Sequence, residues 1–179
     1  AVRSFLKSDM GRSEETAYLM RKDDKYYSSV NYICSHDGFT MYDMVSYEKK
    51  HNEVNGEDNL DGTDYNFSWN CGAEGKTRKK KILSLRKRQM KNAWVMLMFS
   101  KGIPAILAGD ELCNSQEGNN NAYCQDNVNG WVNWNPPRIY DDMQQFVKKL
   151  ISIRKSNKNI WCTNEWENTS GILKNYPFI

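Results

Sequence analysis

Loop length is the feature that most constrains how this 179-residue chain can fold. The run "SSVNYICS" (28–35) is short, β-branched and aromatic at one end, and bounded by charge, which predicts a strand. Its apolar residues Val30, Tyr32, Ile33 and Cys34 fall on both faces, as suits a covered parallel sheet. A long polar stretch follows, from Asp37 to about Lys76. "KILSLRKRQMKNAWVMLMFSKG" then has helical period, with Ile82, Leu85, Gln89, Met90, Ala93 and Leu97 on one face and Gly102 as the stop. Directly behind it, "IPAILAG" predicts a second strand, ending in "DEL". A second polar loop, from about Cys113 to Arg138, is closed by Pro136 and Pro137, and Asp141 is placed to cap a helix over "DDMQQFVKKLISIRKS". Met143, Phe146, Val147, Leu150, Ile151 and Arg154 recur there at i, i+3, i+4.

This order is two βα units, and the short αβ turn around Lys101 and Gly102 makes the strands parallel. Both βα loops run to roughly twenty-five residues or more, well beyond the usual length in compact domains. Long βα loops with short αβ turns are how a (β/α)8 TIM barrel carries its active site on one face. The expected fold is α/β, a fragment of such a barrel; two units are about a quarter of it.

Composition excludes several classes. A net charge of +3 is too small to imply a nucleic-acid partner. The basic run "RKKKILSLRKRQMK" sets Lys80, Lys81, Lys87, Arg88 and Lys91 opposite the apolar face of its helix, which predicts a solvated outer surface. Arg86 projects onto the apolar side and requires a buried acceptor. No apolar run approaches a membrane span. The five cysteines are odd in number, scattered and free of CxxC pairs, so free thiols in a reducing, cytoplasmic setting are expected. "AVRSFLKSDMG" opens as though inside a helix, with Val2, Phe5 and Leu6 on one face, and both termini resemble cut ends. Residues 1–156 are expected to form the barrel part, and 157–179 its end or the start of a following region.

Asp37 ends the first strand, and Asp110 and Glu111 end the second, so in a parallel barrel all three converge on one rim. Carboxylates there suit glycoside chemistry, whose oxocarbenium-like transition state needs nearby negative charge. Asp37-Gly38 is equally a turn signal, and Asp110 equally a helix or loop cap. The loops "HNEVNGEDNLDGTDYNFSWNCG" and "QEGNNNAYCQDNVNGWVNW" are dense in Asn, Asp, Tyr and Trp, which can supply platforms for pyranose faces and partners for hydroxyls. Each of Trp69, Trp131 and Trp134 can instead pin a loop to the scaffold. In "EDNLDGTD", Leu60 and Gly62 fall on ligand positions of an EF-hand counted from Asp58, so no calcium or other metal site is expected.

"SHDGFTMYDMVSY" resembles the fourth conserved region of the α-amylase superfamily, glycoside hydrolase family 13, in which an HD pair ends the seventh barrel strand. The series "KHNEVNGEDNLDGTDYNFSWNCGAEG", "LRKRQ", "GIPAILAGDEL" and "QEGNNNAYCQDN" resembles its isoamylase and bacterial glycogen-debranching branch, from about Val30 to Arg154. The resemblance implies the last two βα units of the barrel of a retaining α-1,6-glucosidase acting on glycogen-, amylopectin- or limit-dextrin-like glucans, without a cofactor. It makes Asp37 the transition-state-stabilising carboxylate and His36 a residue holding the same sugar. Trp69, Asn120, Tyr123 and Asp126 are the expected substrate contacts on the loops. Ser35 departs from the Asn or Ala common before this histidine. The family's nucleophilic Asp and acid/base Glu lie on earlier strands, so the chain alone is expected to be inactive and, exposing strand edges, to self-associate with itself or with the earlier part of the barrel. A non-catalytic glucan-binding protein and a pullulanase or branching activity are the rival readings.

Overall fold

A computed structural model describes residues 1–22 and 29–158. The expected region 157–179, with Cys162, therefore lies almost wholly outside the described residues. Two short helices, α1 (Val2–Leu6) and α2 (Ser13–Arg21), precede strand β1 (Val30–Asn31). The first long loop contains the four-residue helix α3 (Met41–Met44) and leads to α4 (Lys80–Met98). Strand β2 (Ile103–Pro104), the second long loop and α5 (Met143–Ser156) complete the order.

β1 and β2 are parallel, in the register Val30 to Ile103 and Asn31 to Pro104. The two βα units and their parallel strands are thus present, while barrel closure is not: the described sheet has two strands. Each ladder segment is two residues long, far shorter than 28–35 and 103–109. Pro104 has no N–H to donate, and the ladder rests on bonds from Ile103 N to Ser29 O (2.7 Å) and from Ala105 N to Asn31 O (2.8 Å). The expected double-sided cover is also corrected. Ile33 and Cys34 are buried, whereas Val30, Tyr32, Ile103 and Ile106 are exposed.

The core lies between the helices and the first loop. Met90, Ala93, Trp94 and Leu97 of α4 face Phe39, Met41 and Met44 around α3, and Met143, Val147 and Leu150 of α5. Burying each large side chain contributes about 1.5–3 kcal/mol. At the end of α4, Arg154 of α5 donates Nη1 to the carbonyls of Met98 (2.5 Å) and Ser100 (2.8 Å) and Nη2 to that of Gly102 (2.5 Å). A cation thereby satisfies carbonyls that the helix end leaves without partners. Gly102 turns the chain into β2 with φ +86, a region where a side chain is strained.

Asp141 does not cap α5. Asp142 occupies that position, and its carboxylate instead receives Lys87 Nζ (2.5 Å) and Lys91 Nζ (2.8 Å) from α4. These lysines are therefore not part of a solvated face; they join the two helices, whereas Lys80, Lys81 and Arg88 stay exposed as expected. No helix among the described residues is long and apolar enough to cross a membrane.

Arg86 finds the buried acceptors its position requires. Its side chain is wholly enclosed, and Nη1 donates to Gly75 O (2.7 Å) while Nη2 reaches the carbonyls of Asn70 (3.1 Å), Ser46 (3.4 Å) and Ala73. One guanidinium thus binds the middle of the first loop to α4. Arg86→Lys should cost about 3 kcal/mol or more, because a single ammonium cannot serve carbonyls spread over this arc. Urea denaturation of the protein carrying this segment measures it, and a loss under 1 kcal/mol would contradict the assigned role.

Candidate functional site at the ends of the parallel strands

β1 runs on through Ile33 and Cys34 and then bends. His36 and Asp37 emerge there with side chains 86% and 81% exposed, and His36 Nε2 lies 3.3 Å from Asp37 Oδ2. Ser35 Oγ donates to the Asp37 carbonyl (3.2 Å). Directly behind them the chain dives inward, since Phe39, Thr40 and Met41 are essentially inaccessible. The pair is consequently presented to solvent on the C-terminal side of β1, backed by fixed backbone.

Asp110 is not on that exposed rim. It opens a 3-10 turn, Asp110–Leu112, is 2% exposed, and its Oδ1 accepts from Met41 N (2.8 Å) at the start of α3. Glu111 turns back to accept from Gly109 N (3.1 Å). The loop-cap reading thus holds for Asp110. Asp43, which sequence reasoning did not single out, is wholly buried and makes the reciprocal contact. Its Oδ1 accepts from Ser115 Oγ (2.6 Å) and its Oδ2 from Gln116 N (2.7 Å), both on the second loop. Burial pushes the Asp43 carboxyl up to about 6, against the pull of its hydrogen bonds. Burial likewise pushes Asp110 up to about 7, with Glu111 and Asp43 adding repulsion.

A second polar joint lies farther out. Asn52 Nδ2 donates to Asn120 Oδ1 (2.9 Å), and Asn52 Oδ1 accepts from Asn120 N (2.9 Å). Asn119 Nδ2 donates to Asn55 Oδ1 (2.7 Å). Asp61 Oδ2 gathers Asn55 Nδ2 (2.7 Å), Asn121 Nδ2 (2.9 Å) and Asn52 Nδ2 (3.3 Å), and these donors hold its carboxyl below the usual range. Glu74 closes the first loop on itself, accepting from the amides of Glu48 and Lys49 and from Asn70 Nδ2. Sequence reasoning missed these roles, although "NGEDNLDG" facing "GNNN" is an unusual density of amides.

The expected sugar contacts divide accordingly. Asn120 is 2% exposed, and its Nδ2 donates to Thr63 O (2.7 Å) and Asn66 Oδ1 (2.9 Å), so it clamps the loops and presents no free amide. Trp69 is half-buried and packs on the core, sharing a small cleft with Leu6, Met44 and Gln89. Tyr123 and Asp126 are on the surface. Tyr123 Oη donates to Glu57 Oε1 (2.7 Å), and Asp126 Oδ1 accepts from Trp131 Nε1 (3.0 Å). Trp131 and Trp134 expose their rings nearby. Cys34, Cys71 and Cys113 are buried, unpaired and pushed up by burial, whereas free Cys124 is exposed.

Gly62 tests the outer joint. At φ +69, a Cβ there would enter the space of Asn120 Oδ1 and stand 2.9 Å from Asn52 Nδ2. Gly62→Ala should cost about 1–3 kcal/mol through that overlap and the backbone strain. A melting temperature equal to the parent's would show that the joint yields freely.

The inner joint has a pH signature. Asp43 and Asp110 keep their protons in the folded state at a pH where the unfolded chain, with aspartates near 3.9, has lost them. Their contribution to stability is whole below about pH 4 and lost as pH rises through about 6 and 7. Asp61, Glu74 and Asp142, held low, act in the opposite sense and only in more acidic solution. Asp110→Asn, which stays neutral and keeps an acceptor for Met41, should flatten the fall in melting temperature between pH 5 and 8. An unchanged slope would contradict the assignment.

No family model matches the chain. Among curated proteins, a glycogen operon protein GlgX homolog of Mycobacterium tuberculosis is 50% identical over 131 residues, 73% of this chain and 18% of that protein. Isoamylase 1, chloroplastic, of Oryza sativa is 43% identical over 136 residues, 76% of this chain and 17% of its own length. A glycogen debranching enzyme of Pectobacterium atrosepticum is 42% identical over 156 residues, 87% of this chain and 23% of its own length. The chain thus spans about a fifth of the length of these relatives. With the HD pair at a parallel strand end and two long loops joined beside it, these identities establish that the chain belongs to the isoamylase and glycogen-debranching branch of glycoside hydrolase family 13.

Proposed function

We propose that this chain supplies the last two βα units of the catalytic barrel of a retaining α-1,6-glucosidase that debranches glycogen- or amylopectin-like glucans. The observation that carries the reading is the exposed pair His36–Asp37, set at the end of a parallel strand within a sequence 41–50% identical to debranching enzymes and isoamylases. Asp37 stabilises the developing oxocarbenium charge, and His36 holds the sugar bound beside it. Retaining hydrolysis also requires a nucleophile and an acid/base about 5–5.5 Å apart, and we assign both to parts of the enzyme outside these 179 residues. The chain alone is then inactive. Exposed Val30, Tyr32, Ile103 and Ile106 support contact of the ladder with the rest of a barrel, or self-association in its absence. The rings of Tyr123, Trp131 and Trp134, with polar tips of the first two tied down, support a glucan platform on the second loop. The buried, unpaired thiols support a reducing, cytoplasmic setting.

In the complete enzyme, Asp37→Asn should lower turnover about 10²- to 10³-fold or more while leaving the melting temperature unchanged, because the side chain is exposed. Release of reducing ends from glycogen measures this. Turnover within a few-fold of the parent would remove Asp37 from the reaction.

A further inference from the structure

The exposed pair has almost nothing holding it. Among the described residues, the side chains of His36 and Asp37 bond only to each other, and the Ser35 hydroxyl reaches only the Asp37 carbonyl. Their position is therefore inherited from the backbone that follows, Phe39 to Met44. That backbone is held in three ways. Thr40 Oγ1 accepts from Asp43 N (3.1 Å), which caps α3. Asp110 Oδ1, from the turn that follows the second strand, accepts from Met41 N, four residues after Asp37. Asp43, the third residue of α3, reaches the other way to Ser115 and Gln116.

We propose that Asp110 and Asp43 form a crossed clasp between the two βα loops and act as positioning residues for Asp37. The proposal rests on the reading of Asp37 given above. Each loop holds the other through a buried carboxylate, Asp110 being 2% exposed and Asp43 wholly enclosed. The bonds run to backbone amides of Met41 and Gln116, which fixes main chain rather than merely filling space. A four-residue helix cannot hold itself in place, since too few of its bonds are internal. Its orientation, and with it the aim of Asp37, is set from the turn that Asp110 opens after β2. Charge reaches the clasp from Glu111 beside Asp110 and from Arg3 of α1, and the Cys34 thiol and Tyr47 hydroxyl also feel its carboxyls. Ser115 is itself held in place, because its hydroxyl oxygen also accepts from Glu117 N (3.0 Å) while it bonds Asp43.

The test is a double-mutant cycle in the complete enzyme, using glycogen as substrate well below the melting temperature. Asp110→Ala should lower kcat about 10- to 100-fold with KM changed less than 3-fold. Asp110→Asn, which retains the acceptor for Met41 N, should recover most of that loss. In an Asp37→Asn background, Asp110→Ala should lower the residual kcat less than 3-fold, because a residue acting through Asp37 has nothing left to aim. A loss of equal size in both backgrounds, or no recovery with asparagine, overturns the clasp while leaving the role of Asp37 intact. Near-normal turnover of Asp37→Asn itself overturns both. If Asp110→Ala does not accumulate as folded protein, Thr40→Ala removes the adjacent capping oxygen and enters the same cycle with the same criteria.

Discussion

Two long loops with little regular structure lie against one another, and every polar group they bury needs a partner. Helices and sheets meet that demand with their own repeating bonds, but a loop cannot. Here side chains meet it instead. Asp43 and Asp110 clasp near the strands, and Asn52, Asn55, Asp61, Asn119 and Asn120 interlock farther out. Arg86 supplies donors to the carbonyls of the first loop from α4.

This arrangement separates support from chemistry. Asp43, Asn52, Asn114, Asn119 and Asn120 are buried and bonded to loop partners. His36, Asp37 and the aromatic rings of the second loop stay in solvent. Exposure leaves a carboxylate hydrated, whereas one that receives an amide proton tolerates burial and an upward shift. Asp37 and Asp110, both at strand ends in sequence, illustrate the two outcomes.

Helices α4 and α5 and the parallel order were legible in the sequence because they depend on periodicity and loop length, which are local, whereas α2 and α3 were not read. Met143, Val147 and Leu150 are buried where the i, i+3, i+4 pattern sets them, and Arg86 is paired as its place on an apolar face requires. The motif that carries the family was legible too, since it lies within a continuous run around His36. Strand length was not. A ladder is a relation between two segments, and neither reveals how much of the other it will pair with. Partners of single polar residues were equally hidden. Asn120 is one example: an asparagine 68 positions away donates to its amide oxygen.

By itself, therefore, the sequence determined the two βα units, the direction of their strands, the faces of α4 and α5, and the family. Each follows from hydrophobic spacing or from contiguous residues. Tertiary structure alone decided which carboxylates see solvent and which tie loops together. Asp37, Asp43 and Asp110 are chemically identical side chains. Only the segments brought beside them, from about 70 residues away for Asp43 and Asp110, determine whether each stays exposed or is buried against backbone amides.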